Sequence, residues 1–158
     1  MVEKNQGLFK GRKFRGSAMV LLVSVLTGVF VAAGVEAAFA VSSAPGYSTV
    51  NGHQYINHAA ISTGTSGSGS IGFTTDTKWN SGLPAQGWAG SRARLFNSRG
   101  DLVQQDSVFR YNDCAGCTAW SLGSRTGHGV WYSYGVSQGW TGSGYQAFYT
   151  FKTVNQNS

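Results

Sequence analysis

Residues 129–152 read Gly129-Val-Trp-Tyr-Ser-Tyr-Gly-Val-Ser137, then Gln138-Gly-Trp-Thr-Gly-Ser-Gly144, then Tyr145-Gln-Ala-Phe-Tyr-Thr-Phe-Lys152. With a period of two, Val130, Tyr132, Tyr134 and Val136 share one face, and Trp131, Ser133, Gly135 and Ser137 the other. The later run alternates in the same way, with Tyr145, Ala147, Tyr149 and Phe151 opposite Gln146, Phe148, Thr150 and Lys152. Alternation rich in aromatic and β-branched residues marks half-buried antiparallel strands. The glycines of 138–144 supply the positive φ that a hairpin connection needs. A C-terminal β-hairpin is therefore the expected centre of the fold.

The same pattern extends upstream. His53 to Ser62 reads as a first strand, Ile71 to Thr77 as a second, and Gly87 to Phe96 as a third, with Trp88, Gly90, Arg92 and Arg94 opposite Ala89, Ala93 and Leu95. Between the first two lies the flexible turn Gly64–Ser70, and Pro84 marks a loop after the second, since proline cannot donate to a ladder. Asn97-Ser-Arg-Gly100 is a turn, Asp101 to Tyr111 a fourth strand, and Ala119 to Gly123 a short fifth. The hairpin adds the sixth and seventh. No helical period persists, so the expected fold is all-β, an antiparallel sandwich or small barrel of about seven strands.

The N-terminus reads as an address. Lys4, Lys10, Arg12, Lys13 and Arg15 form a basic region ahead of the apolar run Met19–Ala33, and Ala38-Phe39-Ala40 places a signal cleavage before Val41. An uncleaved anchor would need roughly 20 apolar residues, and Glu36 with the Ala-x-Ala site argues for cleavage instead. Residues 1–40 are thus a signal peptide, 41–52 an extended N-terminal arm and 53–158 a single domain, secreted and free of the membrane after cleavage. The arm is either a frayed terminus or a segment that adds as a strand to another protein's sheet edge, anchored by Tyr47 and Val50. Beyond residue 40 stand seven Lys and Arg against four Asp, a net +3, against +6 for the whole chain. These charges are scattered rather than striped, which argues against nucleic acid as a partner.

Cys114 and Cys117 are the only cysteines. In an exported chain they read as a disulfide pinning the turn between the fourth and fifth strands, a local staple contributing about 2 kcal/mol. A redox role would call for a helix N-terminus, and zinc for two further ligands at suitable spacing from the cysteines, which His53, His58 and His128 do not offer. No metal and no cofactor are expected. Residues 41–158 contain no Glu, so paired-Glu glycoside chemistry is absent, and no His-Glu-x-x-His occurs. The chain is not read as an enzyme. Arg99-Gly100-Asp101 suits a tight turn better than integrin recognition.

The aromatic residues carry the functional signal. All five Trp and all seven Tyr lie beyond residue 40. Trp120 and Trp131 fall in strands and are expected in the core, whereas Trp79 and Trp140 fall in Gly- and Ser-rich loops and are expected at the surface. An exposed Trp can stack on a sugar ring or anchor a protein interface.

Ala93–Val103, Tyr132–Val136 and Gly144–Lys152 resemble segments of small secreted all-β proteins of Gram-positive bacteria, including the small adaptor subunit of Streptomyces umbrella toxin particles. That resemblance implies a β-sandwich joining a lectin-like subunit to a large repeat-bearing toxin protein, partly through an extended N-terminal segment. The leading expectation is therefore a secreted, non-catalytic adaptor that binds another secreted protein in an antibacterial toxin assembly, with Tyr47, Val50, Trp79, Trp88 and Trp140 as contact residues. The alternatives are a carbohydrate- or cell-wall-binding module stacking glycan on Trp79, Trp88 and Trp140, and a stand-alone antimicrobial or inhibitory protein.

Overall fold

A computed structural model describes residues 39–64 and 68–158. The readings of residues 1–38, including Ala38 of the cleavage motif, lie outside the described residues. In chain order the first strands are β1 (Phe39–Ser42), β2 (Gly46–Val50), β3 (His53–Thr63), β4 (Ser70–Trp79), β5 (Ala89–Arg92), β6 (Arg94–Asn97) and β7 (Leu102–Gln105). They continue with β8 (Arg110–Tyr111), β9 (Ala119–Thr126), β10 (Val130–Ser133), β11 (Val136–Trp140), β12 (Tyr145–Tyr149) and β13 (Gln156–Asn157). All described pairs are antiparallel, no helix occurs among the described residues, and no barrel closes. The fold is an antiparallel β-sandwich.

The first layer runs β3-β4-β9, with β1 and β2 as two halves of one edge strand along β3. The second layer is two four-stranded sheets, β12-β11-β5-β8 and β13-β10-β6-β7. They continue one another, because the chain passes from β5 to β6 across Ala93 and from β10 to β11 across Tyr134 and Gly135. The layer therefore consists of long strands, each interrupted near its middle.

An interruption frees backbone groups that must find other partners when buried. The amide of Ala93 donates to Ser121 Oγ, that of Ser133 to Thr153 Oγ1 and that of Gly135 to Thr150 Oγ1. Ser133 Oγ donates to the Arg94 carbonyl. Gly135 is demanded by space: a Cβ there would collide with the Thr75 side chain of the first layer.

The interior follows from this break. One apolar cluster comprises Ile61, Ile71, Phe73, Ala93, Leu95 and Trp131, and the other Val50, Tyr55, Ala89, Ala119 and Phe148. Each large side chain buried here contributes roughly 1.5–3 kcal/mol. Hydroxyls and one amide line the interior as well. Asn57 Nδ2 (2.8 Å) and Thr77 Oγ1 (2.6 Å) both donate to Ser137 Oγ, Thr77 Oγ1 also shares a hydrogen bond with Ser91 Oγ (2.7 Å), and Ser91 Oγ donates to the Ala119 carbonyl (3.0 Å). Paired in this way, the hydroxyls of Ser137, Thr77 and Ser91 avoid the cost of lost hydration, whereas Asn57 Oδ1 and Thr75 Oγ1 are buried with no partner among the described residues.

Several expectations are corrected. Residues 41–52 are not a free arm, since Val41 and Ser42 pair with Ile61 and Ala60, and Gly46–Val50 with Asn57–His53. Val50 is a core residue at 1% exposure, so it cannot be a contact residue. The third strand is two strands in two sheets, and the fourth is broken into β7 and β8 around Asp106–Phe109. The hairpin joins β11 and β12 through Thr141–Gly144, whereas the first half of the expected arm, β10, pairs with β6 and β13. Residues 138–140, expected in the turn, are strand because Gln138 and Gly139 also pair with Gly90 and Ala89. Trp140 is thereby half-buried rather than loop-exposed, Trp79 is half-buried at the end of β4, and Trp120 is 53% exposed rather than core. Trp131 is buried as expected, and Cys114 and Cys117 form the expected disulfide.

Candidate functional site

With Ala89, Ser91 and Leu95 turned inward, strand alternation sends Arg92, Arg94 and Phe96 outward. On the neighbouring strands the same parity exposes Tyr132, Tyr134 and Tyr149, and the chain beyond β12 adds Phe151 and Lys152. The outer face of the second layer is therefore an array of aromatic rings and cations. Phe96 and Tyr132, opposite one another in the β6–β10 register, stack at 5.3 Å with 9° between their planes. Tyr134 and Tyr149 stack at 5.6 Å and 13°. The Arg94 guanidinium lies 5.3, 5.1 and 5.4 Å from the Phe96, Tyr134 and Tyr149 ring centres, and its Nε donates to the Tyr134 carbonyl at 3.0 Å. Burial among these rings pushes the Arg94 pKa down. Lys152 Nζ sits 5.7 Å from the Tyr132 ring.

These side chains border an open trough lined by Tyr132, Tyr134, Tyr149, Thr150, Phe151 and Lys152. Tyr149 and Phe151 are 54% and 58% exposed. The array continues over the other half-sheet, where the ring of Tyr111 lies on Gly90 and 4.8 Å from Tyr145, and Trp140 packs edge-on against Tyr145 at 5.1 Å. Tyr111 Oη donates to Gln138 Oε1 and Tyr145 Oη to the Gly87 carbonyl, which holds both rings in place.

The contact residues expected from the sequence are not brought together. Tyr47 is exposed on the first layer. Trp79 and Trp88 form an end cluster with His53, at 4.2 Å (Trp79) and 5.6 Å (Trp88) from its ring, and Trp79 packs on Tyr55. Only Trp140 belongs to the outer array. Sequence reasoning missed Arg94, Phe96, Tyr132, Tyr134 and Tyr149 as a group. Their signal was the polar face of the third strand and the tyrosine faces of the C-terminal runs, which needed only the choice of the Ala-Leu face as inner.

Two other constellations bear on chemistry. His58 Nδ1 lies 3.2 Å from Asp76 Oδ2 on the outer side of the first layer, and burial pushes the Asp76 carboxyl up against the opposing pull of His58. Asp113 approaches the sulfurs of Cys114 and Cys117, but those sulfurs are bonded to each other and are not free thiolates. The chain also spells Gly135-Val-Ser-Gln-Gly139, the letters of a nucleophile elbow. An elbow presents its Ser at a sharp strand-to-helix turn; Ser137 instead lies in β11, fully buried and bonded to Asn57 and Thr77. No family model, curated protein or solved structure matches the chain.

Proposed function

We propose that this chain is a secreted, non-catalytic interaction module that docks another secreted protein through the outer aromatic face of its second layer, in an antibacterial toxin assembly as the resemblance implies. The observation that carries this reading is the attitude of the rings. Near-parallel rings with centres 5.3 and 5.6 Å apart are offset stacks, in which one face of each ring is turned to its neighbour. Arg94 lies against Phe96, Tyr134 and Tyr149 and Lys152 against Tyr132, so the rings are engaged with one another and with cations. A sugar needs a free ring face to stack on. A protein surface uses what this array offers: rigid Tyr and Phe area, hydroxyl tips and Arg.

The disulfide supports an oxidising compartment. Strand addition by residues 41–52 is no longer the mechanism, since that segment already pairs with β3 within the chain. The test is affinity capture with the tagged full chain from culture supernatant, comparing wild type with a Tyr132→Ser/Tyr149→Ser double variant. The expected result is a secreted protein retained in near-stoichiometric amount by wild type and lost by the variant. Retention of the protein on peptidoglycan, chitin or cellulose, with no protein captured, overturns the reading in favour of glycan binding.

A further inference from the structure

Resting on that reading, we infer that the occupant of the trough is an acidic extended segment of the partner, its carboxylates on every second residue paired with Arg94 and Lys152. The charge distribution points there. Arg92, Arg94 and Lys152 all stand on the outer face of the second layer, and among the described residues none of them makes an ion pair. The acidic residues beyond position 40 are engaged or placed elsewhere: Asp76 with His58 on the first layer, Asp101 with Arg99, Asp106 with Arg110, and Asp113 in the disulfide turn. The face is thus cationic without internal compensation.

One nitrogen on this face marks the same need: Arg94 Nη2 has no hydrogen-bond partner among the described residues. Arg94 spends Nε on the Tyr134 carbonyl and makes no ion pair among the described residues. A guanidinium presents a planar fork that matches a carboxylate, and a charge-assisted bond is about twice as strong as a neutral one. Aromatic walls around the trough lower the local dielectric and strengthen such a pair relative to one in open water. An extended segment suits the site because residues two apart point the same way, so every second residue can turn a carboxylate toward the cations of this face.

The test measures fluorescence anisotropy of a labelled peptide alternating Glu and Leu, with its Gln–Leu counterpart as control, titrated with the full chain. The Glu peptide should bind and the Gln peptide should not, and binding should fade as salt approaches 1 M, where the screening length is about 3 Å. Lys152→Gln should weaken binding about fivefold, the scale of an exposed ion pair, and Arg94→Lys should weaken it further by removing the fork. Lys78→Gln makes the same charge change on the first layer and should leave binding unaltered. Equal binding of the two peptides, or equal losses from Lys78→Gln and Lys152→Gln, overturns the acidic occupant. If the Tyr132→Ser/Tyr149→Ser variant loses a captured partner that neither salt nor Lys152→Gln dislodges, the docking face stands and this inference falls. If the tyrosine variant loses nothing, both fall.

Discussion

Asp106 and Asp76 are two carboxylates that the fold treats in opposite ways. Asp106 Oδ2 accepts bonds from Arg110 Nε at 2.9 Å and Ser121 Oγ at 3.1 Å. Burial works against its charge, but the bonds from Arg110, the Val108 amide and Ser121 outweigh it and hold the carboxyl below its ordinary range. Its folded pKa lies under its unfolded value of about 4, so the stability it contributes is present above that value and is lost as pH falls through the folded pKa. Asp76 has the reverse sign, because burial raises its pKa despite His58. Its contribution is present below the unfolded value and declines as pH rises through the raised one. Denaturation followed from acid to neutral pH should therefore show two different outcomes. Asp106→Asn should cost roughly 1–3 kcal/mol at neutral pH and flatten the loss toward acid, whereas Asp76→Asn should flatten the decline above the ordinary carboxylate range. An Asp106→Asn profile parallel to wild type would refute the assignment. Neither sign was legible in the sequence, since both residues are simply Asp between polar neighbours; the folded turn brings Arg110 and the Val108 amide back onto Asp106 with Ser121 of β9, whereas Asp76 is half-buried beside His58 of β3.

Among the elements, β9 and β10 show how alternation is read and misread. Both strands alternate, and each carries a Trp, Trp120 in β9 and Trp131 in β10. Trp131 is buried between the layers, its Nε1 donating to Ser158 Oγ and Arg125 lying against its ring. In β9 the parity is inverted, so that Ala119, Ser121 and Gly123 face in while Trp120 and Leu122 face out. The reason is room and bonding on the inner side. The Phe73 ring occupies the space a side chain at Gly123 would need, and Ser121 must reach both the Ala93 amide and Asp106. Hydrophobicity alone would have turned β9 over. Trp131→Ala should cost about 3–5 kcal/mol in urea denaturation, and Trp120→Ala no more than about 0.5 kcal/mol. Comparable losses at the two positions would show that β9 has been assigned the wrong face.

For the whole molecule the question is whether two apolar clusters with a hydrogen-bonded polar network beside them make one folding unit or two. The long strands of the second layer run through both half-sheets, and the chain Asn57–Ser137–Thr77–Ser91 ties the two layers together. One transition is expected, with the calorimetric enthalpy equal to the van't Hoff value, and two resolved transitions would show that the half-sheets melt separately. The amino-acid sequence by itself determined the all-β class, most strand positions, the Asn97–Gly100 turn and the disulfide, because these depend on period, on turn chemistry and on two cysteines close along the chain. Only the tertiary structure decided where strands break, which face of β9 turns inward, and that Arg94 shares a surface with Tyr132, Tyr134 and Tyr149. Those outcomes depend on what the opposing layer offers at each level, a Thr75 against Gly135 or a Ser121 for Ala93, and no local pattern records which residue that will be.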